Sequence, residues 1–149
     1  MKVHLPLLIL VMGVFKLTAQ SEPVKWTFDA RQINEAEYEL IITADIDHNW
    51  SIYSQHLASD KGPVATSFEF YRQDKVSLLG ATAESGIKKE SFDELFGMNL
   101  VKFVRKARFV QRVKVTDSTL SVRGQLTYMS CDDKSCLPPT DVDFDIALP

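Results

Sequence analysis

Cysteine is almost missing from this chain: Cys131 and Cys136 are the only two among 149 residues. So low a number excludes a disulfide-dense miniature that depends on covalent staples. Zinc clusters are excluded as well, because they draw four ligands, usually from paired motifs, and one such cluster is present here. Histidine is scarce too. Beyond the first 20 residues only His48 and His56 remain, and neither has ligand spacing to the cysteines. No apolar run approaches the roughly 20 residues of a membrane-spanning helix. A basic excess is also lacking, with 17 Lys and Arg against 20 Asp and Glu. That argues against nucleic acid or an anionic membrane as partner. No stretch carries a helical apolar stripe over three turns. Serines and carboxylates are plentiful, yet none is marked as an activated nucleophile.

What is present starts with MKVHLPLLILVMGVFKLTAQ. Lys2 precedes an apolar run over residues 5–15, and small residues follow at Thr18 and Ala19. This order is that of a secretory signal peptide, predicted here over residues 1–20. No cysteine follows the run to carry a lipid anchor. The remainder, 21–149, is the length of one domain. Losing Lys2 and Lys16 takes the basic count from 17 to 15 against 20 acidic residues, a net charge of −5. The expected product is an exported domain without membrane insertion, in a compartment where a matched cysteine pair is normally oxidised.

Beyond residue 20 the hydrophobic pattern keeps returning to period two. Tyr38, Leu40, Ile42, Ala44 and Ile46 alternate with polar residues, broken only at Ile41. Val142, Phe144, Ile146 and Leu148 do the same, as do Leu120, Val122, Leu126 and Tyr128, with Gly124 read as a bulge. Such alternation marks strands with one wet and one buried face. Further candidates are residues 24–28, 50–54, 66–71, 76–79 and 103–115. Turn-formers separate them at 47–49, 60–63, 84–86 and 116–118. Seven to nine short strands predict an all-β, immunoglobulin-like antiparallel sandwich, with a closed barrel as the alternative. The two cysteines cannot bridge its sheets, since five positions in sequence do not link distant strands.

One stretch departs from the alternation. KKESFDELFGMN, residues 88–99, is charged, then aromatic, then closed by glycine. Its Ser91-x-x-Glu94 spacing matches a helix-start capping box, predicting a surface helical turn with Phe92 and Phe96 inward.

The cysteine pair has three readings. A bond between Cys131 and Cys136 closes so short a loop that it stabilises by about 2 kcal/mol, against nearly 5 for a loop of about 100 residues. That tilts toward a redox role, while an inert local disulfide stays open; a soft metal site with Met129 or a histidine is set aside for want of ligands. Asp132 and Asp133 oppose thiolate formation and Lys134 favours it. The pair is then sluggish alone and exchanges with a docked partner. Pro138 and Pro139 lack an amide hydrogen, so strand pairing resumes only at Thr140.

Together, YMSCDDKSCLPPTDVDF, NWSIYSQH, GPVATSFEF and FDELFG, in their chain order, resemble the amino-terminal (alpha) domain of DsbD-type thiol–disulfide reductases. The resemblance runs over residues 24–148, and the hairpin ending Cys-Leu-Pro-Pro is its most specific part. It implies an immunoglobulin-like fold and a periplasmic electron relay. Reducing equivalents would come from a thioredoxin-like domain and pass to exported partners, including disulfide isomerases and cytochrome c maturation thioredoxins. Cys136 would form the mixed disulfide and Cys131 would resolve it, without a cofactor, because two sulfurs carry two electrons. The resemblance also implies a cap loop, Asp93-Glu94-Leu95-Phe96-Gly97, with Leu95 or Phe96 shielding the sulfurs and the acidic pair tuning proton uptake. Tyr53 would line the same pocket. Well-known members have five residues between the cysteines, where this chain has four, and read Asp-Glu-Phe-Tyr-Gly in the cap. They also continue into membrane and thioredoxin domains, so a separate reductant is expected here. The alternative is a non-enzymatic immunoglobulin-like binding module whose local disulfide is inert.

Overall fold

The computed structural model describes residues 22–117 and 121–149. The signal segment predicted over 1–20 lies outside the described residues, as does Leu120. Nine strands follow in chain order: β1 (Val24–Gln32), β2 (Glu37–Ile46), β3 (Ser51–Tyr53), β4 (Ser67–Phe70), β5 (Val76–Asp93), β6 (Met98–Val115), β7 (Ser121–Tyr128), β8 (Ser130–Cys131) and β9 (Thr140–Ala147). The larger sheet runs β1-β2-β6-β3-β8, with β5 on the other edge of β6; the smaller sheet runs β4-β7-β9. Every pairing is antiparallel. The two sheets make an immunoglobulin-like β-sandwich, as the alternation predicted.

The core follows from that alternation. Tyr38, Leu40, Ile42 and Ala44 of β2 are buried against Phe109 and Val113 of β6, and against Val122, Leu126, Phe144 and Ile146 of the smaller sheet. Phe109 sits among the rings of Trp26, Phe68 and Phe103 at centroid distances of 5.0–6.0 Å. Gly124 does not form a bulge. It pairs in register with Phe70 and Phe144, and its missing side chain is what the site requires. A Cβ there would stand 2.3 Å from the Glu69 carbonyl oxygen and 2.4 Å from Phe144 Cζ.

The largest difference from the sequence reading is the β5–β6 hairpin, whose strands are 18 residues each rather than short. Residues 84–86, read as a turn, lie inside β5. The hairpin absorbs register shifts between Leu79 and Ala83 and between Gly86 and Lys88. The helical turn predicted over residues 88–99 shrinks to a single i→i+4 turn at residues 93–97, where the Gly97 amide donates to the Asp93 carbonyl. Strand β5 continues to Asp93 and β6 starts at Met98, so only residues 94–97 turn. Phe92 is 61% exposed rather than inward. The apparent capping box fails because Ser91 pairs with Leu100 across the hairpin, which commits its backbone to the ladder.

Along one edge, β6 pairs first with β3 through Lys102–Val104 and then with β2 from Lys106 onward. Arg105, between the two, takes a left-handed backbone with φ of 66°. Successive residues of a strand point to opposite faces. Ile52 and Phe103 therefore enter the main core, while Ser51, Tyr53 and Lys102 project from the other face of the sheet. That second face carries the site.

Candidate functional site

Strand β8 brings the first cysteine to this face. Ser130 pairs with Ile52 and Cys131 with Ser51, and the Ser51 hydroxyl donates to the Cys131 carbonyl at 3.3 Å. The chain then reverses tightly. The amide of Asp132 donates to the Ser135 carbonyl at 3.0 Å, and that of Leu137 to the Ser130 carbonyl at 2.9 Å. The Asp132 carboxylate accepts the amides of Lys134 and Ser135, each at 2.8 Å, and these bonds hold its pKa below the usual carboxylate value. Asp132 thus builds the turn. Cys131 and Cys136 face each other as an isolated antiparallel bridge and are joined by a disulfide, with Cα atoms 4.0 Å apart. Cys131 is 2% exposed, whereas Cys136 is only partly buried. Pairing resumes at Thr140, where β9 starts after the two prolines.

A small apolar cluster surrounds the bridge. Tyr53, Leu100 and Cys131 are its buried members, and Leu57, Phe96, Met98, Met129 and Cys136 pack against them. The tip of the β5–β6 hairpin supplies its roof. Asp93 shapes that tip: its side chain accepts the amides of Leu95 at 3.0 Å and Phe96 at 3.4 Å, and pairs with the Lys102 ammonium at 3.2 Å. Its carbonyl accepts the Gly97 amide at 2.8 Å. Gly97 closes the turn at φ of 65°, a conformation glycine adopts without the usual steric cost. The result turns Phe96 inward, edge-on to Tyr53 with ring centroids 6.1 Å apart. Leu95 points away and is 47% exposed, and Glu94 is exposed beside it. Of the two apolar cap residues, Phe96 is the one packed into the cystine's cluster.

Tyr53 forms the floor. It is fully buried, and its hydroxyl has no hydrogen-bond partner. Burial pushes its pKa well above that of a free phenol, and the charge of Asp93 adds to the effect. The main chain around it is held from several directions. The Thr66 hydroxyl donates to the Tyr53 carbonyl at 2.6 Å and the Ser54 amide to the Val101 carbonyl at 3.0 Å. Ser54 and Gln55 both donate to the Glu84 carboxylate, at 2.6 and 2.9 Å, and Lys88 pairs with it at 3.0 Å. Burial opposes charge on Glu84, but the bonds from Ser54, Gln55 and Lys88 outweigh it and lower its pKa.

The structure therefore brings Cys131, Cys136, Phe96 and Tyr53 into one cluster, with Asp93 and Gly97 shaping the roof and Glu94 and Leu95 on its outer side. Sequence reasoning missed Leu57, Met98, Leu100, Lys102 and Glu84. Met98 and Leu100 could have been found from the alternation that resumes after Gly97. Two hollows flank the cysteine hairpin and meet at Lys102 and Asp133. One, of about 220 Å³, is lined by His48, Lys89, Lys102 and Arg105; the other, of about 320 Å³, by Asp93, Glu94 and Asp132. Among the described residues no group of three or more His, Cys, Asp or Glu side chains is placed to hold a metal ion. No helix among them is long and apolar enough to cross a membrane.

No known family profile matches the chain, and no curated protein matches it in sequence. Solved structures do. The amino-terminal domain of DsbD from Neisseria meningitidis, crystallised in its reduced form, superimposes with a TM-score of 0.54 at 19% identity, over 80% of this chain and 83% of that one. The amino-terminal periplasmic domain of ScsB from Proteus mirabilis superimposes with a TM-score of 0.58 at 17% identity. That match takes in 84% of this chain and 45% of the ScsB domain, so this chain spans about half of it. The fold of this chain is that of the DsbD-type amino-terminal domains.

Proposed function

We propose that the chain is an exported thiol–disulfide exchange domain that relays reducing equivalents between a thioredoxin-like donor and disulfide-containing periplasmic partners. The observation that carries this reading is the asymmetry of the bridge: a partly exposed Cys136 bonded to a buried Cys131, in one cluster with Phe96. The hairpin supports it as well. Two backbone bonds and the Asp132 carboxylate already close the turn, so the disulfide adds little that the turn lacks. Export is supported by the order of residues 1–20 and by the periplasmic origin of the ScsB domain.

In the exchange, a partner thiolate attacks the Cys136 sulfur. A mixed disulfide forms, the Cys131–Cys136 bond breaks, and the Cys131 sulfur leaves with the electron pair and then takes a proton. The partner's second thiol attacks the mixed disulfide and releases Cys136. The partner dithiol is oxidised and this pair is reduced, by two electrons and two protons in total. Donation to an acceptor such as a disulfide isomerase or a cytochrome c maturation thioredoxin is the reverse sequence. No cofactor enters it. Phe96 excludes small thiols until a partner displaces it, Tyr53 floors the pocket, and Glu94 is the exposed carboxylate for proton exchange. Leu95 offers the partner an apolar contact.

A redox titration against glutathione tests the proposal. An exchange-active pair equilibrates within the range of glutathione buffers. A structural bond, with a potential below about −300 mV, stays oxidised throughout and returns the domain to a binding module with an inert disulfide.

A further inference from the structure

We propose that the Tyr53 hydroxyl is a hydrogen-bond donor held in reserve for the Cys131 sulfur, engaged when the disulfide opens. The inference rests on the exchange reading for the order in which the sulfurs react. Its own evidence is an anomaly. Among the described residues two buried side-chain polar atoms have no partner, Trp26 Nε1 and Tyr53 Oη, and only the second belongs to the cystine cluster. A buried hydroxyl without a partner is unfavourable. Three neighbouring contacts hold the residue in place nonetheless: Thr66 on its carbonyl, Val101 on the next amide and Phe96 against its ring.

The chemistry of the opening bond gives the hydroxyl a use. A disulfide sulfur is a weak acceptor, whereas a thiolate is a strong one. Attack at Cys136 expels the Cys131 sulfur as a thiolate at a position only 2% exposed, and burial in apolar surroundings opposes that charge. The other side chains of the cluster, Leu57, Phe96, Met98, Leu100 and Met129, have no hydrogen to donate. Ser51 spends its hydroxyl on the Cys131 carbonyl, and Asp93 is an acceptor already engaged by its loop and by Lys102. Tyr53 is the donor that remains. Its bond forms to the departing thiolate and not to the closed disulfide, so it eases departure of Cys131. Tyr53 acts here as a positioning residue for the leaving sulfur.

The test is the rate at which dithiothreitol, which reduces inert and active bridges alike, opens the bridge in Tyr53→Phe and in the parent. The comparison therefore survives failure of the relay reading. The variant's bridge is expected to open more slowly, by up to about tenfold. Oxidised Tyr53→Phe should melt at or above the parent, having lost an unpaired hydroxyl. A role in packing alone would lower that melting temperature; a lower melting temperature, or an unchanged rate, overturns the proposal. Should the variant misfold, isotope-labelled Tyr53 in the parent protein gives a second reading. In the reduced protein its Cζ resonance is expected to move downfield as alkali ionises Cys131, and a resonance that stays in place overturns the proposal equally.

Discussion

Ile52 and Tyr53 are consecutive, both are fully buried, and they belong to different halves of the molecule. Ile52 enters a core sealed between two sheets, where Phe109 touches three other aromatic rings. Tyr53 enters a cluster on the opposite face that has no second sheet over it. Its roof is a four-residue turn, held by the Asp93 side chain and one ring contact from Phe96. The first region is enclosed by backbone ladders on both sides; the second is enclosed by side chains that can be displaced without unpairing a strand. Cooperative units differ in local stability in this way, and lids are drawn from the weaker end. The sandwich serves as a wall, and the cystine lies on the side of it that no second sheet covers.

Breaking the sealed half gives the largest expected effect. Phe109→Ala removes a fully buried ring and should cost about 3–5 kcal/mol in denaturant unfolding, with the redox equilibrium of the cysteines unchanged. Next comes the latch behind Tyr53. Glu84→Gln weakens the bonds from Ser54, Gln55 and Lys88 and should cost about 1–3 kcal/mol. Glu84 has a lowered pKa in the folded state, so its contribution is present above the ordinary carboxylate pKa and is lost as pH falls through the lowered value. Acid unfolding curves should show that loss in the parent and its absence in the glutamine variant.

Removing the roof should separate stability from reactivity. Phe96→Ala is expected to cost less than about 1 kcal/mol, because the ring is only partly buried, while reduction by dithiothreitol accelerates about tenfold as the sulfurs become accessible. Leu95→Ser is the smallest change. Leu95 points outward, so stability should stay within about 0.5 kcal/mol and the dithiothreitol rate should not move. A Leu95→Ser effect as large as that of Phe96→Ala would reverse the assignment of the shielding residue.

The sealed half was the more legible in the sequence, because a buried sheet face writes a period-two code. Strands β2 and β9 can be read directly from Tyr38–Ile46 and Val142–Leu148. The β5–β6 hairpin was not legible for the same reason. Along β5 from Gly86 to Phe92 every residue is exposed, so no face needs to be apolar and the alternation disappears. Spacing at Ser91 and Glu94 then imitated a helix cap, although Asp93 supplies the local turn. At the site, motif likeness pointed to the cap and to Tyr53, but it could not choose between Leu95 and Phe96. That choice depends on which way a glycine-closed turn rotates its tip. Nor could it reveal an unpaired hydroxyl, since lacking a partner is a property of surroundings and not of residue type.

The central claim is that this bridge exchanges with a docked protein while small thiols are held off. The most direct measurement is the rate, per thiol, at which the oxidised protein is reduced by a thioredoxin-like dithiol protein and by dithiothreitol. The expected result is a protein reductant faster by orders of magnitude, with Phe96→Ala narrowing the gap. Equal rates for the two reductants in the parent protein would contradict it.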